Sequence, residues 1–343
     1  MTSEMPSQRQ CLPAFTRCGG DGDGHPQQEM KTMVAKAETV WFDGELVNWE
    51  DANVHVLTHT LHYGLGVFEG IRAYRRADGR SAIFRLREHI ERLVKGARMM
   101  TIPLDYTVDE LMDACVKTAK LNRLDGCYIR PIAFVGAGEM GVAAMGNPTR
   151  VAIATWPWGA YLGAAGLTHG VRLKTSSFMR PSVATQLSKG KVCGHYVNSI
   201  LAKREALLDG YDEALLLDTN GYVSEASGEN IFMVENGVIY TPQLGSAILG
   251  GITRDTLITL ARDLNYEVVE TQLTRDMLYL ADEVFMCGTA AEVTPVRELD
   301  QRTIGKGGAG EVTMAMQKRY FDVVKGEDMS HPEWYTFYQV SNL

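Results

Sequence analysis

Hydrophobic and polar positions in the first part of the chain follow two different periods. In TVWFDGELVNWED, two short apolar runs flank Asp43-Gly44, a pair that favours a tight turn between two strands. Apolar residues then recur every three or four positions, which predicts a helix over about 86–100. Thr107 and Glu110 have the spacing of a capping box, in which each side chain bonds the backbone N–H of the other, so a second helix is expected to begin there.

Strand patterns become more frequent further along the chain. CYIRPIAFVG and RVAIATWPWG predict two strands, and the stretch from Pro157 to Ala165, which carries Pro and several Gly, predicts a linker. In the second half, short strand patterns are mixed with helices near 196–209, 253–264 and 312–324. This mixture indicates an α+β fold rather than regular βαβ alternation.

The length of the chain allows two domains after an N-terminal extension. Residues 1–33 are polar and rich in Gly, Pro and Gln, lack the apolar core of a signal peptide, and are predicted to be disordered. A small α/β domain is expected over 34–154, an interdomain linker over 155–166 and a large domain over 167–343.

Composition and charge narrow the class of protein. A formal net charge of −8 without a basic stripe argues against nucleic-acid binding. No apolar run reaches the roughly 18 residues that a membrane helix needs. The six cysteines show neither CxxC pairs nor zinc-finger spacing, which suits a reducing environment better than a disulfide scaffold. We therefore expect a cytoplasmic globular protein.

A glycine motif, Gly136-Ala-Gly138-Glu-Met-Gly141, fits the G-x-G-x-x-G pattern of dinucleotide sites and follows a predicted strand. In such a site the glycines open a long helix. Here the chain runs through Gly146-Asn-Pro148 directly into another strand, so a glycine-rich hairpin loop is the better interpretation.

Three histidines, His55, His59 and His62, have spacings of four and three, which would place them on one face of a helix. They lack the carboxylate base of an H-E-x-x-H zinc site. The apolar neighbours of His55 also suggest that it lies in a strand. Structural roles are therefore favoured, and no metal site is predicted.

Lys191 and Glu225 form the most informative pair of residues. Lys191, in TQLSKGKVCGHYVNS, lies among small residues just before a predicted helix, where an amine can act as a nucleophile. Glu225 follows in SEASGEN, on a separate strand. An amine that forms a Schiff base and an acid that protonates a ring nitrogen are the pair that pyridoxal phosphate chemistry needs. Burial and nearby positive charge are expected to keep the lysine amine neutral near neutral pH.

Lys189 is the alternative to Lys191. In an extended segment two residues separated by one position face the same side, so alternation does not distinguish the two lysines. From the residues alone, the choice between the two lysines stays open.

Two segments predict sites for an anion. LGGIT places glycines, Ile252 and Thr253 at the start of a helix, where backbone N–H groups and the helix dipole favour negative charge. Alone, this segment would be only a capping turn. The CGTAAE turn adds the hydroxyl of Thr289, with a strand-ending turn as its simpler interpretation. Arg92, off the apolar stripe of its helix, becomes a phosphate ligand if such a site exists.

Aromatic residues in glycine-rich contexts predict a binding surface, because loops carry binding residues disproportionately. Arg130 lies two positions from Tyr128 in a strand and is expected on the same face. The aromatic residues concerned are Tyr63, Phe68, Tyr128, Trp158 and Tyr161.

Together these segments resemble the branched-chain amino-acid aminotransferases, members of fold type IV of the pyridoxal phosphate enzymes. The resemblance runs from about Val40 to about Arg297, with a weaker tail. Its motifs, in the family's order, are LHYGLGVFEGIR, YIRP, FVGAGEMGV, PWGAYLG, NGYVSEASGENIF, GGITRD and ADEVFMCGTAAEVTPV. It implies a two-domain α+β fold, with a small α/β domain and a larger pseudo-barrel domain that holds pyridoxal 5′-phosphate.

The resemblance also implies an activity and an assembly. The activity is reversible, ping-pong transfer of an amino group from L-leucine, L-isoleucine or L-valine to 2-oxoglutarate. The assembly is a homodimer in which the partner lends some pocket residues, and grouping of dimers into hexamers stays open. His195, before Tyr196, stands where the family pattern has Asn.

The same resemblance implies a role for each site residue. Lys191 would form the internal aldimine, Glu225 would pair with the pyridine nitrogen, Tyr196 would hydrogen-bond the phenolic oxygen and Leu249 would pack against the ring. The phosphate would be held by Arg92, Ile252, Thr253 and Thr289. The substrate would be bound by Tyr63, Phe68, Gly70, Tyr128, Arg130, Val142, Trp158 and Tyr161, with its α-carboxylate on the amides of Thr289 and Ala290.

Other activities of the same fold remain as alternatives. A D-amino-acid aminotransferase or an aminodeoxychorismate lyase would share Lys191 and Glu225, whereas the YIRP strand and the GVFEGIR loop favour the branched-chain type. A catalytically silent cofactor-binding protein is the alternative from another class. It would bind the cofactor but would not lose its yellow colour when leucine is added.

Overall fold

Two β-sheets with helices packed against them are formed by residues 34–159 and 161–340, which the computed structural model describes. The predicted disorder of residues 1–33 lies outside these described residues. The combination of segregated helices and mostly antiparallel strands confirms the predicted α+β class.

The first sheet is antiparallel throughout. Numbered in chain order, its eight strands within the described residues are β1 (Thr39–Phe42), β2 (Glu45–Asn48), β3 (Gly66–Phe68), β4 (Ile71–Arg75), β5 (Ser81–Phe84), β6 (Cys127–Val135), β7 (Thr149–Trp156) and β17 (Tyr335–Tyr338). Their spatial order is β17-β5-β4-β6-β7-β1-β2, and β3 also pairs with β6. The last described strand, β17, therefore forms one edge of this sheet.

The second sheet is mixed, with parallel pairs β8–β9, β8–β15 and β12–β13. Its nine strands in the described residues are β8 (Val171–Thr175), β9 (Glu213–Leu217), β10 (Val223–Ala226), β11 (Asn230–Glu235), β12 (Val238–Pro242), β13 (Val268–Thr271), β14 (Glu283–Gly288), β15 (Glu292–Leu299) and β16 (Arg302–Thr303). Their order is β10-β9-β8-β15-β14-β11-β12-β13, and β16 pairs with β15.

The α-helices of the described chain are α1 (His59–Tyr63), α2 (Leu86–Met99), α3 (Val108–Leu121), α4 (Gly163–His169), α5 (Tyr196–Leu208), α6 (Ile252–Asp263), α7 (Arg275–Leu280) and α8 (Glu311–Lys325). The predicted capping box is present, since the Glu110 N–H donates to Thr107 Oγ1 at 3.2 Å and the Thr107 N–H donates to Glu110 Oε2 at 2.8 Å. The predicted hairpin at Asp43-Gly44 is also confirmed, and both residues have positive φ.

The glycine-rich segment after β6 is a hairpin loop, as predicted, because β6 and β7 pair antiparallel with Val135 opposite Thr149. No helix begins at its glycines within the described residues. This arrangement is incompatible with a dinucleotide site of the βαβ kind.

Each of the three histidine rings hydrogen-bonds a backbone group. His59 is buried and its Nε2 lies 2.9 Å from the Gly141 carbonyl oxygen, while His62 Nε2 lies 2.8 Å from that of Val56. The expectation that His55 lies in a strand is wrong, because it precedes a turn and its Nδ1 accepts the Leu57 N–H. Across the described residues, no group of three or more His, Cys, Asp or Glu side chains could hold a metal ion.

One hydrophobic cluster joins the two sheets. Phe84 of β5 contacts Tyr320 of α8 and Trp334, with ring centroids 6.1 and 5.8 Å apart, and the same cluster includes Phe232 of β11 and Leu257 of α6. Packing across this cluster fixes the N-terminus of α6 relative to the first sheet.

The division into domains over 34–154 and 167–343 stays a prediction. Helix α4 begins inside the predicted linker at 155–166, and β17 returns to the first sheet. In the described part of the chain, no helix has the length and apolar character needed to cross a membrane.

Candidate active site

A cavity of about 180 Å³ lies where β3 and β6 of the first sheet face the N-terminus of α6 and the turn before β15. An adjoining compartment shares Lys191, Tyr196 and Glu225 and adds Leu249. The predicted site residues that line the larger cavity are Phe68, Gly70, Arg92, Tyr128, Arg130, Trp158, Tyr161, Lys191, Tyr196, Glu225, Ile252, Thr253, Thr289 and Ala290.

Two predicted pocket residues, Tyr63 and Val142, do not line this cavity. Tyr63 is exposed and packs against His59, with ring centroids 4.5 Å apart. Val142 is 95% exposed in the loop between β6 and β7. Within one chain, neither residue reaches the position that the family resemblance implies.

The backbone around Lys191 is docked onto the segment that enters β3. The Phe68 N–H donates to the Lys191 carbonyl at 3.0 Å, and the Gly194 N–H donates to the Gly64 carbonyl at 3.0 Å. Gly64 has φ of 72°, and a Cβ there would lie 2.8 Å from Gly194 Cα, so this close approach requires glycine. These contacts direct the Lys191 side chain into the cavity, with its Nζ 5.4 Å from the Tyr196 ring centre.

Lys189 and Lys191 point to different places. The Lys189 ammonium donates to the carbonyls of Leu244 and Ile248, whereas Lys191 lines both compartments with Glu225. The expectation that both lysines face the same side is wrong, because residues 188–190 form a turn and bend rather than an extended segment.

The charge of Lys191 also differs from expectation. Burial lowers the pKa of Lys191 and Arg92 lowers it further, but Tyr196, Glu69 and Tyr128 act in the opposite direction and the pKa is raised overall. The expectation of an amine that is neutral near neutral pH is therefore wrong for the protein chain itself. Glu69, two residues before β4, is an acidic neighbour that the sequence argument did not include.

Glu225 is a buried carboxylate with three donors. Arg180 Nη2 lies 2.8 Å from its Oε1, while Asn230 Nδ2 and the Leu249 N–H donate to its Oε2 at 3.0 and 3.1 Å. The register of the β9–β10 pairing shifts between Val223 and Glu225, and such irregularities change the direction of a side chain. Burial raises the pKa of Glu225, although Arg180 and the Leu249 N–H oppose this shift.

Arg92 is held by a buried network. Its Nε and Nη2 donate to the two oxygens of Glu69 at 2.7 and 2.8 Å, and its Nη1 donates to the Gly250 carbonyl at 2.8 Å. His89, one helical turn earlier, places its Nδ1 2.7 Å from Glu69 Oε2. Burial would raise the pKa of Glu69, but Arg92 and His89 outweigh burial and lower it well below its usual range.

The N-terminus of α6 offers free backbone donors to the cavity. Gly251 is the N-cap residue and supplies no side-chain capping bond. The first N–H groups of the helix can therefore donate to another acceptor. A Cβ on Gly251 would lie 2.0 Å from Asn230 Oδ1, so only glycine fits beside the residue that holds Glu225. This is the LGGIT segment, for which the sequence predicts an anion site.

The turn of Thr289 and Ala290 connects β14 to β15 on the opposite wall. It ends at Glu292, which has φ of 56° and whose carboxylate bonds Arg72 at 2.9 Å and Tyr74 at 3.0 Å. These buried contacts fix the turn against the first sheet, so its backbone N–H groups have a defined position at the cavity.

Aromatic rings and one arginine form the remaining wall. Tyr128 meets Trp158 edge to face at 4.3 Å, and the Arg130 guanidinium lies 4.9 Å from the Phe68 ring centre. Arg130 Nε is buried without a hydrogen-bond partner among the described residues. Tyr128 and Arg130 thus line the same cavity, as the strand alternation predicted, and the wall combines apolar surface with one cation.

Sequence reasoning missed several residues of this site, namely Glu69, His89, Arg180, Asn230 and Glu229. One signal was available for His89, since it precedes Arg92 by three positions on the same helix face. Glu69 lies inside the motif GVFEGIR, and a buried arginine requires an anionic or carbonyl partner. Arg180 and Asn230 carry no local signal, because their roles depend on contacts between distant segments.

Comparison with known proteins agrees with this geometry. The family model described as Amino-transferase class IV matches residues 66–299. The chain belongs to the class IV aminotransferases. This match covers every element that contributes to the cavity, from β3 to β15.

Relatives within this class are close. The branched-chain-amino-acid aminotransferase of Pseudomonas aeruginosa is 50% identical over 305 residues, which are 89% of this chain and 99% of the relative. The crystal structure of the Escherichia coli branched-chain amino acid aminotransferase superposes with a TM-score of 0.86 at 47% identity, covering 89% of this chain and 100% of the other.

The T.th. branched-chain amino acid aminotransferase is a third similar protein with solved structures. Its structure with pyridoxamine 5′-phosphate has a TM-score of 0.85 at 49% identity, covering 88% of this chain and 98% of the other. Its structure with 4-methylvaleric acid has a TM-score of 0.84 at 47% identity, with the same coverage.

Proposed function

We propose that this class IV aminotransferase transfers the amino group of L-leucine, L-isoleucine or L-valine reversibly to 2-oxoglutarate, with pyridoxal 5′-phosphate as its cofactor. The observation that carries the proposal is the meeting of Lys191 and Glu225 in one cavity with Arg92 and the N-terminus of α6. The three relatives named above are branched-chain aminotransferases at 47–50% identity, which supports the substrate class.

The residues present fit the cofactor. The first N–H groups of α6 have no side-chain cap and lie at the cavity, which suits a phosphate dianion. Arg92 would hold the same phosphate, Tyr196 the phenolic oxygen, and Leu249 one face of the ring. When bound, pyridoxal phosphate acts as an electron sink for the substrate carbon that loses its proton.

Lys191 and Glu225 would divide the proton chemistry between them. Glu225, held by Arg180, Asn230 and the Leu249 N–H, is fixed in one orientation and would keep a proton on the pyridine nitrogen. The Lys191 amine, in its neutral form, would take the proton from the substrate α-carbon and deliver it to the C4′ carbon of the cofactor. The docking of its backbone on Phe68 limits the positions that this amine can reach.

The wall opposite the lysine would accept two kinds of side chain. Phe68, Tyr128 and Trp158 supply apolar surface for leucine, isoleucine or valine. Arg130 would bind the distal carboxylate of glutamate or 2-oxoglutarate, since its Nε has no partner among the described residues. The α-carboxylate of either substrate would bind the amides of Thr289 and Ala290.

The proposed assembly is a homodimer. Met140, Val142 and Met145 project from one loop at 42%, 95% and 87% exposure, a group of exposed apolar side chains that a partner could cover. Tyr63 and Val142 would then complete the pocket of the other subunit.

We place the protein in the cytoplasm, which the free thiols of Cys115, Cys127, Cys193 and Cys287 support.

The experiment follows the absorbance of the enzyme loaded with pyridoxal phosphate. L-leucine should bleach the yellow form, and 2-oxoglutarate should restore it. Bleaching by D-amino acids but not by L-leucine would support a D-amino-acid aminotransferase instead, and no bleaching by any amino acid would indicate a silent cofactor-binding protein.

Borohydride reduction followed by peptide mapping tests the lysine assignment on the same preparation. The label should lie on Lys191, and the Lys189→Ala variant should keep both the label and the bleaching. A label on Lys189, or none at all, would overturn the assignment.

A further inference from the structure

A second buried carboxyl group, Glu229, lines the cavity and has no part in the chemistry described so far. It lies in the turn between β10 and β11, and its residue is only 4% exposed. The turn is fixed by the Ala226 N–H, which donates to the Glu229 carbonyl at 2.8 Å, and by the Gly228 N–H, which donates to Glu229 Oε2 at 3.0 Å.

Glu229 packs directly against the start of the turn that carries Thr289 and Ala290. A Cβ on Gly288 would lie 3.7 Å from Glu229 Cγ and 3.9 Å from its Cα. Glu229, Thr289 and Ala290 line one cavity, so its carboxyl group shares that cavity with the backbone amides that are proposed to take the α-carboxylate of the substrate. A negative charge here would repel that carboxylate.

The charges around Glu229 are unbalanced. Among the described residues, Glu229 forms no ion pair, and the nearby ammonium of Lys203 is already paired with Glu213 at 2.5 Å. Glu213 has a fully buried side chain, and its other oxygen accepts the Ala214 N–H. Glu213 thus takes the Lys203 ammonium, and Glu229 has no ion pair of its own in the described part of the chain.

The titration of Glu229 agrees with this arrangement. Burial and then Glu213 raise the pKa of Glu229 to about 8, against the opposing effects of Lys203, the Gly228 N–H and Lys191. At pH 7 the group is therefore mainly protonated and able to donate a hydrogen bond. The titratable groups that face it are Glu213 of β9, Lys203 of α5, Lys191, Tyr161 and Cys287 of β14.

We propose that the neutral carboxyl group of Glu229 positions the α-carboxylate of amino-acid and 2-oxo-acid substrates by donating a hydrogen bond beside the Thr289–Ala290 turn. This inference rests on the proposed function, because it takes the same cavity and the same substrates. It adds a donor that must hold its proton while substrate binds, so that substrate affinity falls when Glu229 ionises.

The test uses 4-methylvalerate, a carboxylate without an amine, so that titration of a substrate amine does not contribute. Its dissociation constant for the loaded enzyme is measured between pH 7 and pH 9, in the unmodified protein and in Glu229→Gln. Because only the protonated form of Glu229 should bind, the dissociation constant of the unmodified protein should rise about tenfold over this range relative to that of Glu229→Gln.

Glu283→Gln is the matched control. Glu283 is also a buried carboxylate, but it accepts the N–H groups of Val312 and Thr313 at 3.0 and 2.7 Å and does not line the cavity. Its variant should keep the pH dependence of the unmodified protein. A flattened profile in Glu283→Gln as well, or parallel profiles for Glu229→Gln and the unmodified protein, would overturn the proposal.

A measurement on the unmodified protein covers the case in which Glu229→Gln does not fold. Calorimetric titration in buffers of different ionisation enthalpy counts the protons taken up with 4-methylvalerate. Close to one proton should be taken up at pH 9 and few at pH 7, and uptake that does not change with pH would sink the idea. Failure of the proposed function is distinguishable, because L-leucine would then fail to bleach the enzyme at any pH.

Discussion

Individual side chains in this protein are held in place by partners that have no direct contact with substrate. Glu69 is fully buried and pairs with both Arg92 and His89. Glu225 pairs with Arg180 and accepts a hydrogen bond from Asn230. In both cases a charged group of the cavity is oriented by a second charged or polar group behind it. The orientation of the cavity groups therefore depends on residues outside the motifs that identify the family.

The first residue-scale prediction concerns Glu69→Gln. The change leaves the buried Arg92 guanidinium without its carboxylate, and breaking a buried pair in this way typically costs about 3–5 kcal/mol of unfolding free energy. Urea denaturation measures this loss, and the dissociation constant of pyridoxal phosphate should rise with it because Arg92 is no longer oriented.

The control for Glu69 is Glu88→Gln, which removes the partly exposed partner of Arg85 at 2.7 Å. Arg85 keeps a second carboxylate, Asp255, at 2.7 Å, so this variant should stay close to the unmodified protein. The lowered pKa of Glu69 sets the pH dependence: its stabilisation is present above the ordinary value of 4.5 and is lost as the pH falls towards the lower folded-state pKa. Equal losses in the two variants, or a pH-independent difference, would contradict this account.

The second residue-scale prediction concerns Arg130→Leu. The guanidinium of Arg130 lies against Phe68 and Tyr128 and is proposed to bind the distal carboxylate of glutamate. Losing a charge-assisted hydrogen bond of this kind costs about 1.5–3 kcal/mol, so kcat/KM for glutamate should fall about ten- to hundredfold more than for leucine. Arg150→Leu is the control, since Arg150 lies 4.6 Å from the Phe42 ring centre and does not line the cavity. A proportional loss for both substrates would assign Arg130 a structural role.

At the scale of elements, the start of α6 organises the cavity. Its N-cap glycine lies against Asn230, which bonds Glu225, and the carbonyl of the preceding Gly250 accepts Arg92. One helix terminus thus touches both the anion-binding and the ring-binding sides of the site. Small changes in its backbone should affect both sides together.

Gly251→Ala tests this coupling. The added Cβ would lie 2.0 Å from Asn230 Oδ1, so Asn230 or the helix must move, and overpacking of this kind costs about 1–3 kcal/mol. We expect lower stability to urea and weaker binding of pyridoxal phosphate. Gly250→Ala is the adjacent control, because its Cβ would meet only Leu244 Cδ2 at an ordinary 3.7 Å. Similar behaviour of the two variants would remove the special role of Gly251.

Elements with a long or regular pattern could be predicted from the sequence. Helices α2, α3, α5, α6 and α8 and strands β6 and β7 follow from periodicity, caps and flanking glycines. Strands β3, β4 and β5 were not predicted, because glycines and arginines interrupt their short apolar runs. Their pairing with β6 and β17 decides their conformation rather than local preference.

The site was predictable as far as its motifs reach. Lys191, Glu225 and the LGGIT segment are local signals, and the structure brings them together in one cavity. The alternation of side chains along a strand could not decide between Lys189 and Lys191, because the two lysines are separated by a turn. The raised pKa of Lys191 and the role of Glu69 depend on tertiary contacts between α2, the segment that joins β3 to β4, and the segment that carries Lys191.

At the scale of the whole molecule, exposed apolar side chains predict self-association. Val142→Asp should weaken the proposed dimer by at least tenfold in its dissociation constant, because a charge would be buried at the contact. Sedimentation velocity over a range of protein concentrations measures this. The monomer should remain folded, since the side chain is 95% exposed within one chain.

Leu280→Asp is the control for Val142→Asp. Leu280 is 80% exposed at the end of α7 and does not belong to the loop between β6 and β7. Its variant should sediment like the unmodified protein. Unchanged association of Val142→Asp, or a monomeric unmodified protein, would contradict the proposed assembly.

The position of β17 has a consequence for how the chain is made. Strand β5 pairs with β4 on one side and β17 on the other, and β17 leaves the ribosome after every other described strand. Until then the edge of β5 presents unpaired backbone groups, which can pair with a neighbouring nascent chain. Closure of the first sheet must therefore follow synthesis of the second sheet.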